Sequence, residues 1–91
     1  MLGSWDASEI KVVNLPQKVA SAFTAVTSEI VGADYQPVLY VGKQLVNGTN
    51  YCLLALKTAV APNAASTLVK MVIHEDTDGK YVLKSISRIA L

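Results

Sequence analysis

The side chains that most often carry chemistry in proteins are scarce in this chain. It contains one cysteine, Cys52, and one histidine, His74. A catalytic cysteine needs a base, and no histidine stands near Cys52 in sequence, so a small buried hydrophobe is the better interpretation. His74 precedes Glu75 and Asp76, but a metal site needs more ligands than the chain supplies here. The sequence therefore predicts neither a nucleophile nor a metal site.

The acidic residues after His74 predict a turn. Glu75, Asp76 and Asp78 lack the ligand spacing of a calcium loop, and Asp78-Gly79 is typical of a tight turn between two strands. The chain also has no glycine-rich phosphate loop. We therefore expect no enzyme activity, no cofactor and no bound metal.

Length and composition narrow the class of protein. The 91 residues make a single domain, 1–91, with one core. Charged residues make up 16% and the net charge is +1 with no basic stripe, so no nucleic-acid partner is expected. The apolar runs are too short to span a bilayer. The absence of a signal segment and of a cysteine pair favours a cytoplasmic protein, and an already processed secreted chain is the alternative.

Residues 44–51 carry the strongest functional signal. They separate two apolar runs rich in β-branched and aromatic residues, and Asn47-Gly48 between such runs indicates a hairpin, because both residues tolerate a positive φ. Leu45 and Val46 are brought to this turn. Apolar side chains are costly to expose at a turn, which indicates a surface that another molecule covers. The alternative is that both side chains fold back onto the sheet.

Hydrophobic periodicity predicts the elements that position this turn. A helix is predicted over about 15–31, with an apolar face formed by Val19, Phe23, Val26 and Ile30. Asn14 is expected to cap its start, Pro16 to lie in its first turn and Gly32 to end it. Strands are predicted over 9–13, 35–46, 49–60, 68–75 and 81–91. The predicted fold is α+β, with one long helix packed across an antiparallel sheet of four to five strands.

Several segments together resemble the cystatin family. Gln44-Leu45-Val46-Asn47-Gly48 is similar to the family's Gln-x-Val-x-Gly signature, and Thr49-Asn50-Tyr51 continues as in many members. Met1-Leu2-Gly3 resembles their N-terminal segment, in which apolar residues precede a glycine. The predicted order of helix and strands is similar over nearly the whole chain. The lack of disulfides resembles the intracellular stefin branch.

The resemblance implies a reversible, tight-binding inhibitor of papain-like cysteine proteases. In that family an N-terminal segment and two hairpin turns form a wedge that fills the active-site cleft without offering a cleavable bond. The protease-binding residues implied here are Met1, Leu2, Gly3, Gln44, Leu45, Val46, Asn47 and Gly48, with a weaker second-hairpin contact at Asp78 and Gly79. A rigid hairpin suits this task because it loses little conformational entropy on binding.

Two features depart from the family pattern. The second turn lacks the Pro-Trp pair that many cystatins carry, so it offers no aromatic anchor. Asn47 stands where a small apolar residue is usual, and Asn47-Gly48-Thr49 is also a glycosylation sequon. A glycan at Asn47 would block entry into a cleft, so glycosylation and inhibition are hard to combine.

The strand after the first turn is apolar on both faces, because Leu54 and Leu56 occupy positions that are usually polar in the family. One explanation is a two-residue Asn-Gly turn, whose register would bring Leu39 and Val41 beside Leu54 and Leu56. The other is a partner site on the outer face. The sequence thus leaves a second function open: a cystatin-fold binding module that forms a homodimer or higher oligomer through Leu54 and Leu56, without inhibitory activity.

Overall fold

The computed structural model describes residues 14–90. Over this range one helix is followed by four antiparallel strands. The elements are α1 Gln17–Thr27, β1 Ala33–Val46, β2 Gly48–Ala59, β3 Ser66–Glu75 and β4 Tyr81–Arg88. The predicted α+β class, with a helix on an antiparallel sheet, is confirmed. The described range contains no fifth strand, and the strand predicted over 9–13 lies outside it.

Helix α1 begins later than predicted, and the predicted Asn14 cap is not present. Pro16 immediately precedes the first helical residue, where its missing N–H leaves no helical hydrogen bond unmade. Its carbonyl accepts a bond from the Ala20 N–H at 3.0 Å. No side chain of residues 14–90 caps this end, so the predicted role of Asn14 is wrong. Within residues 14–90 no helix has the length and apolar character that crossing a membrane would need.

Helix α1 also ends earlier than predicted. The hydroxyls of Thr27 and Ser28 donate to the carbonyls of Phe23 and Ala25 at 2.8 and 2.9 Å, and such local bonds compete with continuation of the helix. The predicted end at Gly32 is therefore wrong. Ile30 lies beyond the helix and outside the buried core, which corrects its predicted place on the apolar face.

The core lies between α1 and one face of the sheet. The helix contributes Val19, Ala22, Phe23 and Val26, and the two central strands contribute Tyr51, Leu53, Ala55, Val69, Met71 and Ile73. The strand residues are alternate positions because successive side chains of a strand point to opposite faces. Burial of each large apolar side chain contributes roughly 1.5–3 kcal/mol before the entropy cost of ordering it. This core fixes which strand residues face away from the helix.

The sheet is a simple meander in the order β1-β2-β3-β4, so β1 and β4 are its edges. The pairing of β1 with β2 shifts between Pro37 and Leu39 and again between Tyr40 and Gly42. Pro37 is tolerated because it lies on an edge strand beside such an irregularity. Shifts of this kind increase local twist and make an edge a poorer template for further pairing.

The first hairpin is tighter than predicted. Val46 pairs with Gly48, so Asn47 alone separates β1 from β2. Gly48 has a φ of 100°, whereas Asn47 does not adopt a positive φ. The predicted two-residue Asn-Gly turn is therefore wrong, although the predicted hairpin is present.

The observed register differs from that of a two-residue turn, which would place Leu39 opposite Leu56 and Val41 opposite Leu54. Leu39 instead pairs with Leu54, and Leu56 lies opposite Gln36. Val41 falls within the second register shift and has no direct partner on β2. The register depends on both strands together, so it cannot be predicted from the sequence of either strand alone.

Candidate functional site

The first hairpin exposes apolar side chains at its apex. Leu45 is 75% exposed and Val46 is 49% exposed, and Asn47 beside them is also exposed. The sheet does not cover Leu45, so the alternative in which both side chains fold back does not hold for it. We call residues 44–48 the tip. It presents an apolar surface to solvent, which carries a free-energy cost unless another molecule covers it.

The second hairpin turn lies at the same end of the sheet as the tip. Thr49, at the start of β2, pairs with Glu75, and Glu75 pairs with Tyr81 at the start of β4. This row crosses the sheet directly behind both turns. The predicted contact residues Asp78 and Gly79 therefore share one end of the sheet with the tip.

Gly48 packs directly against β3. A Cβ atom at this position would collide with the Glu75 carbonyl oxygen and would lie 2.9 Å from His74 Cε1. Its φ of 100° is also in the region that favours glycine. The backbone of the tip can therefore approach the end of β3 only because residue 48 has no side chain.

A chain of side-chain hydrogen bonds supports the tip on the sheet face away from α1. The Asn50 amide Nδ2 donates to Gln44 Oε1 at 3.1 Å, and His74 Nδ1 lies 2.7 Å from Asn50 Oδ1. With the amide in this orientation, His74 Nδ1 is the donor. The three residues pair in register across β1, β2 and β3. Gln44 is thus bonded to the start of β2, and its contact with a protease stays a prediction.

A second polar network supports the same end on the helix face. The buried Tyr51 hydroxyl donates to Glu75 Oε1 at 2.8 Å, and Lys18 Nζ lies 3.0 Å from Glu75 Oε2. Burial, and then the bond to Glu75, raise the pKa of Tyr51 to about 12. The Tyr51 hydroxyl and Lys18 lower the pKa of the Glu75 carboxyl, so Glu75 holds its charge at neutral pH. One carboxylate therefore connects α1, β2 and β3.

The second turn is stabilised by Asp76 and has no apolar apex. Asp76 Oδ1 accepts the backbone N–H groups of Asp78 and Lys80, both at 2.9 Å. These bonds, that from Lys80 above all, lower the pKa of the Asp76 carboxyl. Asp78 and Gly79 are exposed. The turn exposes the Asp78 carboxylate and the Gly79 backbone to a partner, so a contact through these residues is polar.

The remaining residues that the sequence singled out are the N-terminal segment and Cys52. Met1, Leu2 and Gly3 are outside residues 14–90. Cys52 is half-buried and lines an open cavity of about 320 Å³ on the outer face, together with Lys43 and Val72. Among the described residues, no three His, Cys, Asp or Glu side chains gather where they could hold a metal ion.

Sequence reasoning missed both polar networks. The residues of each network are separated along the chain and meet only through strand register, since Tyr51 and Glu75 are 24 positions apart. Alternation gives a partial signal, because Asn50 and Tyr51 must point to opposite faces. The identity of the partner on β3 needs the register itself.

Gly48 and Gly79 provide a matched test of the close approach. Both have a positive φ, but a Cβ at Gly79 meets no atom within 4 Å. Gly79→Ala should lose about 1–2 kcal/mol from backbone strain alone. Gly48→Ala should lose a further 1–3 kcal/mol, roughly, from overpacking against Glu75. Urea unfolding measures both losses, and equal losses would contradict the packing of Gly48 on β3.

Glu75 should make stability depend on pH in a defined direction. Its folded pKa is lowered, so its contribution is present above the ordinary glutamate pKa of about 4.3 and is lost as pH falls through the folded value. Glu75→Gln should therefore be less stable than the wild type at neutral pH, with a difference that shrinks in acid. Thermal unfolding across this range tests it.

Glu29→Gln, at an exposed glutamate after α1, is the control for losing a surface carboxylate. It should stay within about 0.5 kcal/mol of the wild type at neutral pH. A Glu75→Gln deficit of the same size at neutral and acid pH would show that the charge on Glu75 is not what stabilises this end of the sheet.

No family model, no curated protein and no solved structure matches this chain. The similarity of residues 44–48 to the cystatin signature therefore stays a prediction. The exposed apolar tip and its polar supports are observations that stand independently of that similarity.

Proposed function

We propose that this protein is a reversible inhibitor of papain-like cysteine proteases that occludes the active-site cleft and performs no catalysis. The residues that enter the cleft are Leu45, Val46, Asn47 and Gly48. The observation that carries the proposal is the exposed apolar apex, with Leu45 75% exposed, at the end of a two-stranded hairpin. No cofactor is needed for an inhibitor that works by exclusion.

The contacts that hold the tip against the sheet support this function. Gly48 is held against Glu75, and Asn50 joins Gln44 to His74. A segment already fixed in one conformation loses little entropy when it docks, so more of the contact energy appears as affinity. The apex itself has no charged side chain whose desolvation would oppose entry into an apolar groove.

The proposed wedge has two further parts. Asp78 and Gly79 lie at the same end of the sheet and supply a weaker, polar contact. The segment Met1-Leu2-Gly3 completes the wedge by analogy with the cystatins, and its residues lie outside the described range. A cytoplasmic setting, in which Asn47 carries no glycan, belongs to the same proposal.

Titration against papain tests the wedge. Val46→Glu places a charge in the cleft and should weaken inhibition by about 30-fold or more, because central contact residues typically contribute roughly 2 kcal/mol or more. Val60→Glu is the matched control. Val60 is also exposed, at 68%, but follows β2 at the opposite end of the sheet. It should inhibit as the wild type does.

Deletion of Met1-Leu2 should also weaken inhibition. Folded wild-type protein that leaves papain fully active at micromolar concentration would overturn the proposal. Equal inhibition by Val46→Glu and Val60→Glu would show that the tip does not enter the cleft.

The outer sheet face favours a second candidate, a self-associating module without inhibitory activity. Leu54 is half-buried there and pairs with Leu39, which is 46% exposed. Leu56 is only 6% exposed in the single chain, so it offers little surface to a partner, in contrast to its predicted role. Leu39 and Leu54 are therefore the centre of this alternative.

Sedimentation at high micromolar concentration distinguishes this module from a monomeric inhibitor. If the outer face associates, the wild type sediments as a dimer or larger species. A stable interface of this kind buries roughly 800 Å² on each partner. Leu39→Lys then restores the monomer. Val60→Lys, at the far end of the sheet, does not. A wild-type protein that stays monomeric rules the module out.

A further inference from the structure

Asn47 differs from the other asparagines of the chain in the residue that follows it. It is the one followed by glycine; Asn14, Asn50 and Asn63 precede Leu, Tyr and Ala. Its side chain makes no hydrogen bond to another described residue, whereas the Asn50 amide bonds to both Gln44 and His74. It is also exposed at the apex of the tip. The Asn47 amide is thus free to react, and the residue after it presents no side chain that would hinder attack.

We propose that Asn47 is a site of spontaneous deamidation that changes the charge and the shape of the tip. The Gly48 backbone nitrogen attacks the Asn47 side-chain carbonyl carbon. A carbon–nitrogen bond forms, the Gly48 nitrogen gives up its proton, and the side-chain nitrogen leaves with a proton as ammonia, which produces a five-membered succinimide. Water then opens the ring at either carbonyl. The products are aspartate or isoaspartate, in which the main chain runs through the former side chain.

The position of Asn47 favours this reaction. It is the single residue between β1 and β2, beyond the row of Thr49, Glu75 and Tyr81 that supports the end of the sheet. Water reaches the apex, since Leu45 and Val46 beside it are exposed. Ring closure needs only adjacent residues and leaves the core pairing in place. Asparagine is one of the thermolabile residue types.

Both products alter the tip. Aspartate at position 47 adds a carboxylate to an end of the sheet that already carries Asp76 and Asp78. Isoaspartate lengthens the main chain by one atom before Gly48. Because Gly48 is pressed against the Glu75 carbonyl, the extra length must be absorbed on the other side, at Leu45 and Val46. Each product also removes the asparagine that a glycosylation sequon requires.

Ageing the purified full chain at mildly alkaline pH tests the reaction itself. Peptide mapping should find aspartate and isoaspartate accumulating at Asn47 about tenfold faster, or more, than at Asn63. Asn63 is an internal control, since it is also exposed but precedes Ala64. A chain with Asn47→Gln should accumulate neither product at position 47. Gly48→Ala is unsuitable because it collides with Glu75.

Equal rates at Asn47 and Asn63 would overturn the proposal. So would an unchanged Asn47 in the folded chain under conditions that deamidate a short peptide of residues 44–51. The peptide shows the intrinsic rate, and the comparison shows whether the fold permits the reaction.

A consequence for binding rests on the proposed inhibitory function. Asn47→Asp should inhibit papain about tenfold more weakly than the wild type, because the new carboxylate must lose water on docking. Asn47→Gln keeps an uncharged amide and should be affected less. Equal inhibition by Asn47→Asp and wild type would overturn this consequence. A wild type that never inhibits papain would remove the proposed function, while the mapping result would still decide the reaction.

Discussion

The close approach of Gly48 to β3 is the contact on which the tip end of the molecule depends. The backbone there lies so near the Glu75 carbonyl and the His74 ring that no side chain fits. The start of β2 is thereby fixed to the end of β3. Glu75 extends this connection, because its carboxylate binds Tyr51 on β2 and Lys18 on α1. A hairpin held in this way can keep Leu45 in water without collapsing onto the sheet.

Polar support on both faces follows from the alternation of side chains along a strand. Asn50 and Tyr51 are neighbours, so their side chains point to opposite faces. Asn50 bonds to His74 on the outer face, and Tyr51 bonds to Glu75 on the helix face. His74 and Glu75 divide in the same way on β3. The row behind the turns is thus bonded on both sides. Networks of this kind favour one conformation because each polar group has a partner whose loss would be costly.

Local patterns predicted most of the fold, and long-range pairing accounts for what they missed. Val19, Phe23 and Val26 face the core as their spacing predicts. The helix ends were wrong because Asn14 makes no cap and the hydroxyls of Thr27 and Ser28 bond backward. The strand register depends on shifts in β1, so its pairing could not come from β2 alone. The sequence predicted apolar residues at the tip but left their exposure open, and it gave no sign of the support by His74.

The two apolar side chains of the tip, Leu45 and Val46, are energetically separate from the core. The buried cluster lies between α1 and the central strands, and neither Leu45 nor Val46 belongs to it. Replacing either side chain therefore removes little buried area, and the free energy of unfolding should change little. Gly48 within the tip and Glu75 behind it have the opposite character, since changing either disturbs packing or an ion pair. A loss of partner binding caused by replacing Leu45 or Val46 can thus be distinguished from a loss of folding caused by replacing Gly48 or Glu75.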